Sequence, residues 1–127
     1  MATWKDLGTD SLAAATSLLR DGRFRSCISR AYYAAYSAAT SELRKAKGVT
    51  FRYGWSNPSH EQLPRLIRDK LTSFGEASRR ELLRAIRRLR MAREDADYRP
   101  AVSIDRGLTV NVVRDACLFL RILERRP

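Results

Sequence analysis

Read for the spacing of its apolar residues, the chain divides into five amphipathic stretches separated by glycine, proline and polar breaks. The fourth is the clearest. Between Arg79 and Pro100 it places Leu82, Leu83, Ile86 and Leu89 at helical spacing, and no other segment carries more arginine. At about 100° per residue, Arg80, Arg84, Arg87 and Arg88 fall on the side away from those leucines. Arg93 does not. It falls close to Ile86 and Leu82 in angle, inside the apolar stripe, and Asp97 follows one turn later. A guanidinium on a buried face is costly to desolvate unless a carboxylate or a functional cleft receives it.

The other stretches are read the same way. Thr9 or Asp10 can cap a first helix to about Arg20, with Leu12, Ala15 and Leu19 on one face and Asp21-Gly22 ending it. A second helix is expected from about Arg23 to Lys47, stopped by Gly48. Its apolar face is Phe24, Ile28, Ala31, Tyr32, Ala35, Ala39 and Leu43, with Ala34 and Ala38 as a smooth second flank. Tyr32, Tyr33 and Tyr36 sit on this helix. A helix so apolar is either the core of a monomer or shared with a second copy, so these tyrosines mark a core or a dimer interface. Val49–Pro58 is an aromatic connection whose Phe51, Tyr53 and Trp55 are expected to fold back over the core, the alternative being base stacking. A third helix starts at Ser59 or at Pro64 and buries Leu63, Leu66, Ile67, Leu71 and Phe74. The last runs from about Leu108 to Arg125, burying Val112, Val113, Ala116, Cys117, Phe119, Leu120 and Leu123. The expected fold class is all-α, an up-and-down bundle of four to five helices in a single domain over residues 1–127.

Charge changes the picture most. The net charge is +11, from 25 Lys and Arg against 14 acids. Arginine forks match phosphate geometry, so RNA or another phosphate-bearing partner is expected, with Arg80, Arg84, Arg87 and Arg88 as its electrostatic contact. An acidic protein would satisfy the same charge. No apolar run is long enough to span a bilayer, and Met1–Asp6 lacks the pattern of a signal peptide, so the expected setting is cytoplasmic without membrane contact. Cys27 and Cys117 fall in apolar helical patterns and read as buried reduced thiols. One histidine and two separated cysteines do not make an ordinary zinc site, and no phosphate loop or dinucleotide motif is present, so neither metal nor cofactor is expected. Asp95 and Asp97 point to different helix faces. His60 is either a general base or a capping residue.

Two stretches taken together resemble a known family. Ser29-Arg-Ala-Tyr-Tyr-Ala-Ala-Tyr-Ser-Ala-Ala, preceded by Leu18–Ile28, is similar to the first helices of HEPN domains. Ala92-Arg-Glu-Asp-Ala-Asp-Tyr-Arg-Pro resembles the R-x-x-A-D-Y signature of the small single-domain branch, and Val113–Ile122 resembles the closing helix. The resemblance implies a helical bundle, usually dimeric with a cleft between subunits. Members often act in toxin–antitoxin or defence systems beside a small nucleotidyltransferase. Many are metal-independent ribonucleases that use an arginine followed by four to six residues and then a histidine. Arg93 matches that arginine; no histidine follows it, and Tyr98 stands after the four intervening residues. Arg52 and His60 are spaced too widely to be that motif. Carried over residue by residue, the candidate catalytic set is Arg93, Asp97, Tyr98 and His60. Arg93 then has three open roles: a structural pair with Asp97 or a carboxylate such as Glu42, phosphate binding, or catalysis. The partners implied are a second copy, RNA, and a cognate nucleotidyltransferase or antitoxin protein. A non-catalytic interaction module is the competing reading.

Overall fold

Helix α1 (Trp4–Arg20) begins earlier than its apolar spacing predicts. Thr3 caps it, accepting the Asp6 N–H at 3.1 Å while the Asp6 carboxylate takes the Thr3 N–H at 3.0 Å. This is a capping box with aspartate in the place of the more usual Glu or Gln. Thr9 and Asp10, the expected caps, therefore lie inside the helix. Gly8 is instead an interior residue with a reason to be small. A Cβ there would lie 3.1 Å from the Ala34 carbonyl oxygen and 3.3 Å from the Ala38 nitrogen.

The computed structural model describes residues 1–125, which form five α-helices and contain no strand. Helix α2 (Phe24–Lys45) packs against all four others. Its smooth Ala34/Ala38 flank is met by α1 at Gly8. Tyr32 is fully buried and Tyr36 nearly so, with Tyr33 half-buried beside them. Within the chain, Tyr32 and Tyr36 belong to the core and Tyr33 packs against it. Helix α3 (Leu63–Lys70) carries Pro64 in its first turn, and the Ser59 hydroxyl accepts the Gln62 N–H at 3.0 Å. The helix stops at Lys70, so Leu71 and Phe74 reach the core from the turn that follows. Helix α4 (Glu76–Tyr98) and helix α5 (Arg106–Glu124) complete the bundle, α5 capped by Asp105, which accepts the Leu108 N–H at 2.8 Å. Fully buried Leu82 and Leu89 contribute about 1.5–3 kcal/mol each by burial. On α5, Thr109 and Ile122 are buried, whereas Val113, Cys117 and Leu120 are only half-buried. Cys27 is buried and donates to the Ala15 carbonyl, and burial pushes its thiol above the ordinary range, as expected of a packing residue. No described helix is long and apolar enough to cross a membrane.

Several arginines close helix ends from a distance. Arg25 donates to the carbonyls of Asp95, Ala96, Arg99, Pro100 and Val102, gathering the C-terminus of α4 and the turn after it. Arg79 donates to the Arg68 carbonyl in the last turn of α3, and Arg106 to Leu19 at the end of α1. The last carbonyls of a helix have no partner within it, and a guanidinium satisfies several at once.

The connection over residues 46–62 is fixed to α2 and α4. Arg44 donates to the Ser56 carbonyl, Tyr36 to that of Pro58, and Arg90 to that of His60. Val49 and Phe51 pack on the core. Tyr53 and Trp55 do not. They are 84% and 50% exposed, so the expectation that the rings fold back holds for Phe51 alone. The backbone explains this: Tyr53 (φ 57°) and Gly54 (φ 67°) are both left-handed, which turns the chain outward between Phe51 and Ser56.

Candidate functional site

Arg93 sits one turn before the end of α4 with its side chain 12% exposed. Its Nε donates to Asp97 Oδ2 at 3.0 Å, an i,i+4 pair on one helix face. Its Nη2 donates to the hydroxyls of Tyr33 and Tyr98, each at 3.2 Å. The guanidinium carbon lies 5.7, 5.5 and 5.2 Å from the ring centres of Tyr32, Tyr33 and Tyr98. These ring faces stabilise a cation that has few water contacts. Burial weighs against the charge, but Tyr33, Tyr98 and Asp97 outweigh it and hold Arg93 above its ordinary range. Ser29, at the head of the Ser29–Ala39 stretch, donates to the same Asp97 oxygen at 3.2 Å.

His60 enters from the opposite direction in sequence. The connection places its ring against Tyr32, Tyr33 and Tyr36, with centroid separations of 5.4, 5.9 and 5.0 Å. Nδ1 shares a 2.6 Å hydrogen bond with the Tyr32 hydroxyl. Burial, then the positive charges of Arg93 and Arg90, lower the His60 pKa, with Glu94 opposing. The imidazole is therefore neutral at pH 7, with one nitrogen a donor and the other an acceptor. Burial raises Tyr32 far above the usual phenol range, so it stays protonated. Tyr36 is raised for the same reason, with hydrogen bonds involving Asn57 and Thr40 opposing. Asn57 donates to the Tyr36 hydroxyl at 2.7 Å, fixing the segment that carries His60.

The three tyrosines thus bring together the catalytic candidates Arg93, Asp97, Tyr98 and His60. The arginine stripe fares differently. Arg88 makes a two-point pair with Asp115 of α5 at 3.0 and 2.8 Å, so it closes the α4–α5 contact and is not a free phosphate ligand. Arg80 lies 3.7 Å from Glu76, while Arg84 and Arg87 are exposed. An open groove of about 810 Å³ runs beside the cluster, and Tyr32, His60, Arg87, Arg90 and Arg99 line it. A second cavity of about 310 Å³, beside Lys5, Glu42 and Lys45, shares no residue with the groove.

A family model described as the HEPN domain matches residues 1–126. The chain belongs to the HEPN domain family. The match spans the whole described bundle, including the tyrosine-rich α2 and the R-x-x-A-D-Y end of α4. A search of curated proteins finds no match. As a HEPN domain, the chain departs from the arginine–histidine spacing carried by many members, since Tyr98 stands where the histidine would be. The sole histidine lies instead on the α2–α3 connection, in contact with the rings that hold Arg93. Sequence reasoning missed three contributors: Arg90, Arg25 and Ser29. Arg90 was legible, one turn before Arg93 on the same face. Arg25 and Ser29 are likewise one turn apart on α2, but nothing in their spacing names the carbonyls or the carboxylate they reach.

Proposed function

We propose that this HEPN domain engages RNA at the Arg93–His60 cluster and cleaves it without a metal. One observation carries the reading. Arg93 Nη1 and His60 Nε2 make no hydrogen bond among the described residues, while the other polar atoms of both side chains are held by neighbours. A fixed cation and a fixed neutral imidazole with one free nitrogen each suit a phosphate and an adjacent hydroxyl.

The chemistry balances as follows. In the tautomer that carries its proton on Nδ1, that nitrogen donates to the Tyr32 hydroxyl and Nε2 is the acceptor for the ribose 2′-hydroxyl proton. The 2′-oxygen bonds to phosphorus as the bond to the 5′-oxygen breaks, while Arg93 stabilises charge on the non-bridging oxygens. The Tyr98 hydroxyl, whose oxygen accepts from Arg93, donates its proton to the leaving 5′-oxygen and regains one from protonated His60 through water. Asp97 positions Arg93 and takes no part in the proton transfers. The products are a 2′,3′-cyclic phosphate and a 5′-hydroxyl. Arg87 and Arg99 along the groove support a backbone path. Met91, 68% exposed on the groove, supports a homodimer whose seam lies there. The setting is a cytoplasmic toxin–antitoxin or defence pair, with a nucleotidyltransferase or antitoxin as partner.

Incubation of the protein with RNA in EDTA tests this directly. Cleavage is expected, with cyclic phosphate ends, and with loss of about 10²-fold or more in rate for His60→Ala, the scale of a general base. Cleavage unchanged in both His60→Ala and Arg93→Ala contradicts the site. The same Arg93–Asp97–tyrosine bonds also favour a second reading, a filled structural network in a non-catalytic module that binds a nucleotidyltransferase. No cleavage of RNA under any condition would favour that reading.

A further inference from the structure

The exposed ring pair on the α2–α3 connection has no role in the bundle. Tyr53 and Trp55 lie 5.2 Å apart between ring centres, tilted by 53°, at 84% and 50% exposure. Tyr53 also holds a left-handed backbone (φ 57°, ψ 23°), a cost for a bulky residue that no buried contact of its ring offsets. Rings of this size usually fold inward, as Phe51 does two residues before Tyr53.

Charge indicates the occupant. The segment around the rings carries Arg44, Lys45, Lys47 and Arg52, with Glu42 the one acid between residues 41 and 60. Aromatic faces beside a basic track are the recurring arrangement for single-stranded nucleic acid, where each base stacks on a ring and the backbone follows the cations. An A-form duplex keeps its bases stacked within itself and does not offer them. The same segment leads to His60. His60 lies five positions after Trp55, a reach of at most about 18 Å, within the span of one short oligonucleotide. Ser56, Asn57 and Pro58 between them are tied to α2 by hydrogen bonds with Arg44 and Tyr36, so the platform and His60 sit on one fixed piece of chain.

We propose that Tyr53 and Trp55 form a base-stacking platform that selects single-stranded RNA and leads its backbone toward the Arg93–His60 cluster. This rests on the RNA reading above and adds its substrate class. The platform is a binding element, and neither ring takes part in proton transfer.

The probe is a short fluorescein-labelled RNA of mixed sequence with every 2′-position methylated, which binds without being cut, measured by anisotropy beside its own duplex. The parent should prefer the single strand. Trp55→Ala should weaken single-strand binding about 5- to 150-fold, Trp55→Phe should keep most of it, and Tyr53→Ala should weaken it in the same sense. Because no charge changes, the slope of affinity against salt should stay the same. Both rings are exposed, so circular dichroism of the variants should match the parent. Equal single-strand affinity in Trp55→Ala and parent overturns the platform while leaving the RNA site standing. A protein that binds neither RNA form overturns both. A Trp55→Ala variant that binds RNA normally but changes oligomeric mass marks the rings as a protein contact and also overturns the proposal.

Discussion

Arg93 has an ion pair, two hydroxyl acceptors and three ring faces around one guanidinium, with only Nη1 left over. Replacing it with alanine strands the Asp97 charge and frees two hydroxyls. Because Asp97 is 28% exposed, water takes up part of the loss, and Arg93→Ala should cost about 1–3 kcal/mol by urea unfolding. Lysine keeps the charge but not the fork, so Arg93→Lys should regain part of the stability and little of the RNA function. His60 gives a pH signature with a definite sign. Its folded pKa lies below the unfolded value near 6.5, so the unfolded state binds the proton more readily. The His60 contribution is thus full above about pH 6.5 and is lost as pH falls toward the folded pKa. Urea titrations across that window should show a steeper acid loss for the parent than for His60→Gln; parallel curves would contradict the burial argument. The anomaly of Arg93 was legible from helical angle alone. That His60 shares its rings was not, because the two lie on elements separated by α3 and meet at tyrosines that belong to α2.

At the level of elements, α4 ends where the site is, and its end is held by α2. Arg25 supplies the carbonyl partners that a left-handed glycine would otherwise provide. Arg25→Ala should speed hydrogen exchange at the Arg99 and Val102 amides and weaken RNA binding through Asp97 and Tyr98, with the α1 amides unchanged. Uniform acceleration throughout the chain would mean global destabilisation instead. The α1–α2 crossing is as sharply determined. Gly8→Leu drives a side chain into the Ala34 and Ala38 backbone and should cost about 1–3 kcal/mol or more in chemical unfolding, against little for exposed Gly75→Ala. Helix positions followed from apolar spacing because burial dictates it. The start of α1 did not, since its signal is a polar box at Thr3 and Asp6, and Thr9 and Asp10 further along have the same capping character. Nor did the remote arginine caps, whose partners are backbone atoms and leave no residue pattern.

For the molecule as a whole, the all-helical class and the HEPN family were legible in the chain, while the use of its charge was not. Arg25, Arg79, Arg88 and Arg106 serve the bundle itself, so the net charge of +11 overstates the cations free to meet a polyanion. Arg84, Arg87 and the basic connection carry that part. RNA affinity should fall steeply with salt, and Arg87→Ala should reduce the slope by about 1 where Arg88→Ala does not. The proposed homodimer has its seam at the surface around exposed Met91. Light scattering should report twice 14.5 kDa for the parent and 14.5 kDa for Met91→Arg. The central claim is that His60 and Arg93, 33 residues apart, act on one RNA phosphate, and a double-mutant cycle on cleavage in EDTA tests it most directly. Residues that act as a unit are non-additive: His60→Ala, Arg93→Ala and the double variant should fall to a similar residual rate. Losses that multiply in the double variant, or a single variant that cleaves like the parent, would contradict it.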